Sequence, residues 1–168
     1  MPKRFEYSLD LSDFDQCSSS MILPDLQLRA AQPTDTQALA ELMLDAYRGT
    51  IDYDDETLDD AVSEVQAYLA GERGGQPLLK VSRLAFEGSV LVSACLAGDW
   101  HERQCPAIAY VMTRAEWKNL GVGQQVLCEV LRALREQGHG KVWAVITEGN
   151  TPSERLFGHL GFERVSIT

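Results

Sequence analysis

Lys118, Gly121 and Gly123 are spaced to hold an anion. In Lys118-Asn-Leu-Gly121-Val-Gly123 the glycines allow a tight backbone turn with no side chain projecting toward a ligand. A helix is predicted to begin at the end of this run. Its free first-turn N–H groups and the positive end of its dipole then point into the turn, and Lys118 adds a cation. A local positive field matters here because the chain carries a formal net charge of −10. Such a surface repels nucleic acid and favours solubility, so an anionic ligand needs a place of this kind. Two common phosphate loops are excluded. Gly123 is followed by Gln124-Gln125, not by the Lys-Ser/Thr of a Walker loop. Val126 stands where a dinucleotide fingerprint needs a third glycine, and its glycines would follow the strand directly. Taken alone, the run also fits a plain strand-to-helix connection.

Metal chemistry finds no support. Cys17, Cys95, Cys105 and Cys128 include no Cys-x-x-Cys pair, and His101, His139 and His159 are scattered. No metal site is expected, and the cysteines read as reduced thiols, mostly buried.

The 168 residues fit one domain. No apolar stretch approaches the ~20 residues of a membrane span, and Met1-Pro-Lys-Arg-Phe-Glu-Tyr lacks the apolar run of a signal peptide. A cytoplasmic protein with no membrane or nucleic-acid partner is expected. Residues 1–21 form an N-terminal arm, and residues 22–168 form the domain. In the arm Phe5, Tyr7, Leu9 and Leu11 alternate with polar residues. It is either a loose segment or a strand that pairs with a sheet edge, in this subunit or in a partner.

Leu26–Ala31 reads as a first strand. Thr34-x-x-Gln37 reads as a capping box before a helix that runs to about Arg48. An acidic run from Asp52 to Asp60 leads into a second helix ending near Gly71. Leu78–Phe86, Val90–Ala97 and Ala107–Thr113 are predicted strands, with a polar loop from Gly98 to Pro106. A helical stripe from Val122 to Leu134 is stopped by Gly138. Lys141–Thr147 has the apolar character of a buried parallel strand. Thr151-Pro-Ser-Glu154 reads as another capping box, and Phe162–Ile167 as a last strand. An antiparallel middle followed by βαβ units indicates an α/β three-layer fold with a mixed central sheet.

The run Lys118–Gly123 resembles the Arg/Gln-x-x-Gly-x-Gly/Ala signature of the GNAT superfamily of N-acetyltransferases, with Lys118 in the first place. Asn150-x-x-Ser153-x-x-Leu156-Phe157-x-x-Leu160-Gly161-Phe162 is similar to that family's Asn-x-x-Ala-x-x-Leu-Tyr-x-x-Leu-Gly-Phe. The resemblance runs from about Leu26 to the C-terminus. It implies a GNAT-type fold, with helices on both faces of the sheet and a splayed parallel strand pair formed by Ala107–Thr113 and Lys141–Thr147. It also implies acetyl-CoA, or coenzyme A, as the ligand. Val111, Met112 and Thr113 would bond the pantetheine arm, and Asn119, Leu120, Gly121, Val122, Gly123 and Gln124 the pyrophosphate beside Lys118. Asn150 would contact the pantetheine, and Ser153 and Phe157 would line its far end.

The implied reaction is direct transfer of an acetyl group to an amine of a small molecule or protein. Phe157 stands where the family usually places the Tyr that protonates the leaving thiolate, and it cannot donate a proton. Tyr110 or solvent would take over. Glu148, just past its strand, is the candidate base. The alternative is an acyl-CoA-binding or sensor module with little or no turnover. Asp52 and Asp54 lie between two helices that border the acceptor pocket in this family, so they would attract a cationic amine; their bland reading is a solvated face. Many relatives continue into one more strand after Gly161-Phe162. The missing edge would come from the N-terminal arm or from another subunit, and on that ground a homodimer is expected.

Overall fold

The computed structural model describes residues 3–14, 25–73 and 75–165. The strands are β1 (Arg4–Asp10), β2 (Leu26–Ala30), β3 (Arg83–Glu87), β4 (Val90–Trp100), β5 (Cys105–Thr113), β6 (Lys141–Thr147) and β7 (Glu163–Arg164). The helices are α1 (Thr36–Tyr47), α2 (Leu58–Leu69), α3 (Val122–Glu136) and α4 (Thr151–His159). One sheet runs in the order β2-β3-β4-β5-β6-β1-β7. Among the described residues only the β5–β6 pair is parallel. No described helix is long and apolar enough to cross a membrane.

Strand alternation and helical stripes build a core on each face of the sheet. Leu39, Leu42, Val65 and Tyr68 of α1 and α2 meet Leu84, Leu96 and Met112 on one face. Val126, Leu131 and Leu134 of α3 and Phe157 and Leu160 around α4 meet Val142, Ala144 and Ile146 on the other. The three-layer α/β fold expected from the element order is present.

The N-terminal alternation is a strand of this chain's own sheet. β1 pairs antiparallel with β6 from Arg4–Thr147 to Asp10–Lys141. It also pairs with β7, at Tyr7–Arg164 and Ser8–Glu163. β1 therefore fills the position whose vacancy motivated the expectation of a dimer. Leu9, Leu11 and Phe14 are buried against the α3 side, at roughly 1.5–3 kcal/mol for each such side chain. Arg135 Nη1 donates to Phe14 O at 2.6 Å, and Leu11 N to Gly140 O at 2.8 Å, fastening the segment to the end of α3 and the turn after it.

Several local expectations are corrected. The first helix starts from Asp35, not from a Thr34–Gln37 box: Asp35 accepts from Gln32 N at 2.8 Å and from both terminal nitrogens of Arg29. Asn150 caps α4, accepting from Ser153 N at 3.3 Å, while Glu154 accepts from Gly149 N at 3.0 Å. Residues 78–82 precede β3 as turns, and β4 and β5 extend into the expected polar loop as far as Trp100 and Cys105. β6 alternates buried and exposed residues, because helices cover only one of its faces. The last strand is confined to Glu163–Arg164 among the described residues. Cys95 and Cys105 are free thiols, but Cys128 is disulfide-bonded, so the reading of four reduced thiols fails there.

Candidate active site

The site begins with an irregularity in β5. Leu96 of β4 faces Tyr110, but Ala97 faces Ile108, so Ala109 is an extra residue in the ladder. A bulge of this kind bends its strand and raises the local twist. Buried side chains pin the β4 side. Tyr68 Oη donates to Ala97 O at 2.5 Å, and Ala97 N donates to Ser82 Oγ at 2.9 Å. Farther along, Ser93 Oγ donates to Met112 O at 2.8 Å. On its other edge β5 leaves β6. The parallel pairing covers only Ala107–Trp143 and Ile108–Ala144, although β5 runs on to Thr113 and β6 to Thr147. The splay expected between these strands is thus present and starts at the bulge.

One end of the gap leads to the head of α3. Asn119 and Gly121 have φ of 66° and 85°, a region where glycine carries no steric penalty and Asn only a modest one. Gly121 is the N-cap, no side chain caps the helix, and no acidic residue lies in the first turn. The 15-residue α3 therefore presents unshielded N–H groups and the positive end of its dipole. A Cβ on Gly123 would stand 3.2 Å from Thr113 Oγ1, so glycine lets this turn lie close to β5. These features fit an anionic group such as a pyrophosphate.

Lys118 differs from expectation. Its Nζ donates to Ala46 O at 2.7 Å, where the C-terminal carbonyls of α1 lack helical donors and the dipole favours a cation. Ala115 N donates to Asp45 Oδ2 at 2.9 Å beside it. The lysine therefore ties the turn to α1. The positive field at the head of α3 comes from backbone.

The other end of the gap opens into a cleft of about 750 Å³ between α1, α2 and the sheet. Asp52, Asp60, Glu64 and Asp99 line it with Arg4, Arg73 and Tyr110. Tyr110 Oη donates a short hydrogen bond to Glu64 Oε1. Arg73 grips the same carboxylate with Nε at 2.9 Å and Nη2 at 2.7 Å. The Arg73 guanidinium holds the Glu64 carboxyl below its ordinary pKa; partial burial opposes this and the Tyr110 hydrogen bond adds to it. Burial, then the Glu64 hydrogen bond, pushes the Tyr110 phenol above its ordinary value. Tyr110 packs edge-on against Tyr68, with ring centroids 5.8 Å apart.

The remaining candidates divide. Asp52 lines the cleft and accepts from Asn150 Nδ2 at 2.8 Å, so both ends of the Asn150 amide are engaged. Asp54 is exposed and outside the lining; its N–H turns to Glu56 Oε2 at 2.9 Å. Glu148 is exposed at the end of β6, also outside the lining, where its N–H continues the ladder to Lys3 O at 2.8 Å. Met112 points into the α1–α2 core, while Val111 packs toward the α3 side. Ser153 is half-buried. Phe157 is 5% exposed, its ring edge-on to Phe162 at 5.0 Å, so it serves mainly as core. Glu64 and Arg73 were not singled out from the sequence. The available signal was the four-residue step from Asp60 to Glu64, which puts both on one face of α2.

A three-layer fold with a bulged strand, a splayed parallel pair and an uncapped helix head is the architecture also seen in solved GCN5-related N-acetyltransferases. Residues 89–168 match the family described as FR47-like protein, and the fold is shared with solved GCN5-related N-acetyltransferases. No curated protein matches the sequence. A GCN5-related N-acetyltransferase of Sphaerobacter thermophilus superposes with a TM-score of 0.70 at 20% identity over 98% of this chain; the chain spans 50% of that protein's length. AAC(6')-Iy, solved with the bisubstrate analogue CoA-S-monomethyl-acetylneamine, gives 0.62 at 17% identity over 85% of this chain and 94% of its own. The yncA protein of Salmonella typhimurium, solved with acetyl-CoA, gives 0.63 at 20% identity over 84% and 82%.

Proposed function

We propose that this chain transfers an acetyl group from acetyl-CoA to an amine that enters through the acidic cleft. One observation carries the reading: the β5–β6 gap runs between the uncapped head of α3 and a cleft rich in carboxylates. The first-turn amides of α3 would hold the pyrophosphate, and the open edge of β5 from Val111 to Thr113 would hold the pantetheine. AAC(6')-Iy, bound to an analogue that joins coenzyme A to an amine acceptor, and the acetyl-CoA-bound yncA protein support this assignment. Bound there, acetyl-CoA would supply an activated acyl carbon.

The protein's own contribution is positional and electrostatic. The cleft concentrates and orients a cationic amine, and a β5 backbone N–H at the splay stabilises the charge that develops on the acyl oxygen. A thiol ionises near ~8.5, so a thiolate leaves without an acid. That suits a site where Phe157 has no proton to give. It also suits Tyr110, whose proton is committed to Glu64, so its assignment as the acid for the thiolate is not carried forward.

Phe157 supports a second reading, an acyl-CoA-binding module with little turnover. Calorimetry with acetyl-CoA and a thiol-release assay over a panel of primary amines, diamines and aminoglycosides test both. Saturable binding with thiol release from at least one amine is expected. Binding without release from any amine favours the second reading, and no binding overturns both.

A further inference from the structure

We propose that Tyr110 and Glu64 form a proton relay that takes a proton from the acceptor ammonium in the cleft and passes it to solvent. The proposal rests on the acetyl-transfer reading above. Tyr110 lines the cleft one residue beyond the bulge where β5 leaves β6, beside the open edge that would carry the thioester. A phenol has one O–H to donate, and this one is spent on Glu64. The Tyr110 oxygen remains an acceptor: the Arg73 guanidinium interacts with it from the Glu64 side, and the N–H of an ammonium in the cleft is a donor that suits its remaining lone pair. Glu64 receives the phenol on Oε1 and two bonds from Arg73. Its side chain keeps 34% of its surface in solvent, which is an exit for a proton.

The step balances. An N–H bond of the ammonium breaks as an O–H bond forms at Tyr110, while the original Tyr110 proton moves to Glu64 Oε1. Glu64 then releases that proton to water, restoring phenol and carboxylate and leaving a free amine to attack. Arg73 keeps Glu64 ionised between turnovers, and burial keeps Tyr110 neutral, so no phenolate need form. Glu148, exposed and outside the cleft lining, is thereby replaced as the base.

Two amines of matched size separate a relay from a merely structural role. At pH 7 ethylamine is an ammonium that must lose a proton before attack, whereas 2,2,2-trifluoroethylamine is already free. In Glu64→Gln and Tyr110→Phe, kcat/KM for ethylamine is expected to fall by about 100-fold. The fall for trifluoroethylamine is expected to be at least about tenfold smaller, so the ratio between the two amines shifts. Equal losses with both amines overturn the relay in favour of a packing role, and unchanged rates overturn it outright. A wild type that turns over neither amine, yet binds acetyl-CoA, overturns the transfer reading for simple amines and the relay with it. Calorimetric affinity for acetyl-CoA in each variant reports folding. If Tyr110→Phe does not fold, the isosteric Glu64→Gln carries the comparison.

Discussion

The two ends of the β5–β6 gap are built from different materials. At the α3 end the polar groups are main-chain N–H groups, and the side chains contribute mostly by their absence: Gly121 permits a φ of 85°, and Gly123 permits close approach to Thr113. At the cleft end they are side chains from separate segments. Tyr110 meets Glu64 across 46 residues, and Asp52 meets Asn150 across 98. A backbone site needs only a short run with the right conformational freedom. A side-chain site needs the whole fold to bring its parts together. Removing a part should therefore have different consequences at the two ends.

The largest effect on acetyl-CoA binding is expected at the backbone end. Gly121→Val forces a β-branched residue into the left-handed region, at a cost of about 2 kcal/mol or an escape that re-aims the first-turn amides. Acetyl-CoA affinity should weaken by about 30-fold in calorimetry, with the KM for amine little changed. An unchanged affinity would dissociate the turn from anion binding.

Arg73→Met should do the reverse. Arg73 is the main cause of the low Glu64 pKa, so its removal should move the Glu64 carboxyl titration, followed by ¹³C NMR, to higher pH while leaving acetyl-CoA affinity alone. The sign for stability follows. A depressed carboxyl pKa stabilises the fold above the unfolded carboxylate range, and that contribution disappears as pH falls through the lower folded value. The difference in melting temperature between wild type and Arg73→Met should shrink on acidification. A Glu64 titration that stays in place breaks the assignment of Arg73.

The smallest effect concerns the bond that links the α1–α2 connection to the cap of α4. Asp52→Ala removes the partner of Asn150 Nδ2 and should cost about 1 kcal/mol, or roughly 2–4 °C in a domain of this size. A double-mutant cycle with Asn150→Ala should show coupling of about 0.5 kcal/mol or more. Additive losses would mean that the two regions are energetically independent.

The same contrast explains what was legible in advance. The element order, the αL glycines and the helix after Gly121 follow from local periodicity and punctuation, and they are present. Lys118 was assigned by its charge and position to an anion, but α1 packs beside the turn and leaves Ala46 O in need of a donor. Asp54 and Glu148 were plausible by neighbourhood alone. Loop direction turns the first away from the cleft, and Glu148 sits at the exposed end of β6. Glu64 and Arg73 carried only the marks of an ordinary solvated helix face and loop.

By itself the sequence determined the kind of elements, their order and the glycine turn at Lys118–Gly123, because each depends on backbone conformation within a few residues. Tertiary structure decided that the N-terminal alternation enters this chain's own sheet beside β6. It also decided that Lys118 caps α1 and that Tyr110, Glu64 and Arg73 join in one hydrogen-bonded line. Those outcomes depend on which donors and acceptors remain unpaired once distant segments pack, a condition that exists only in the folded chain.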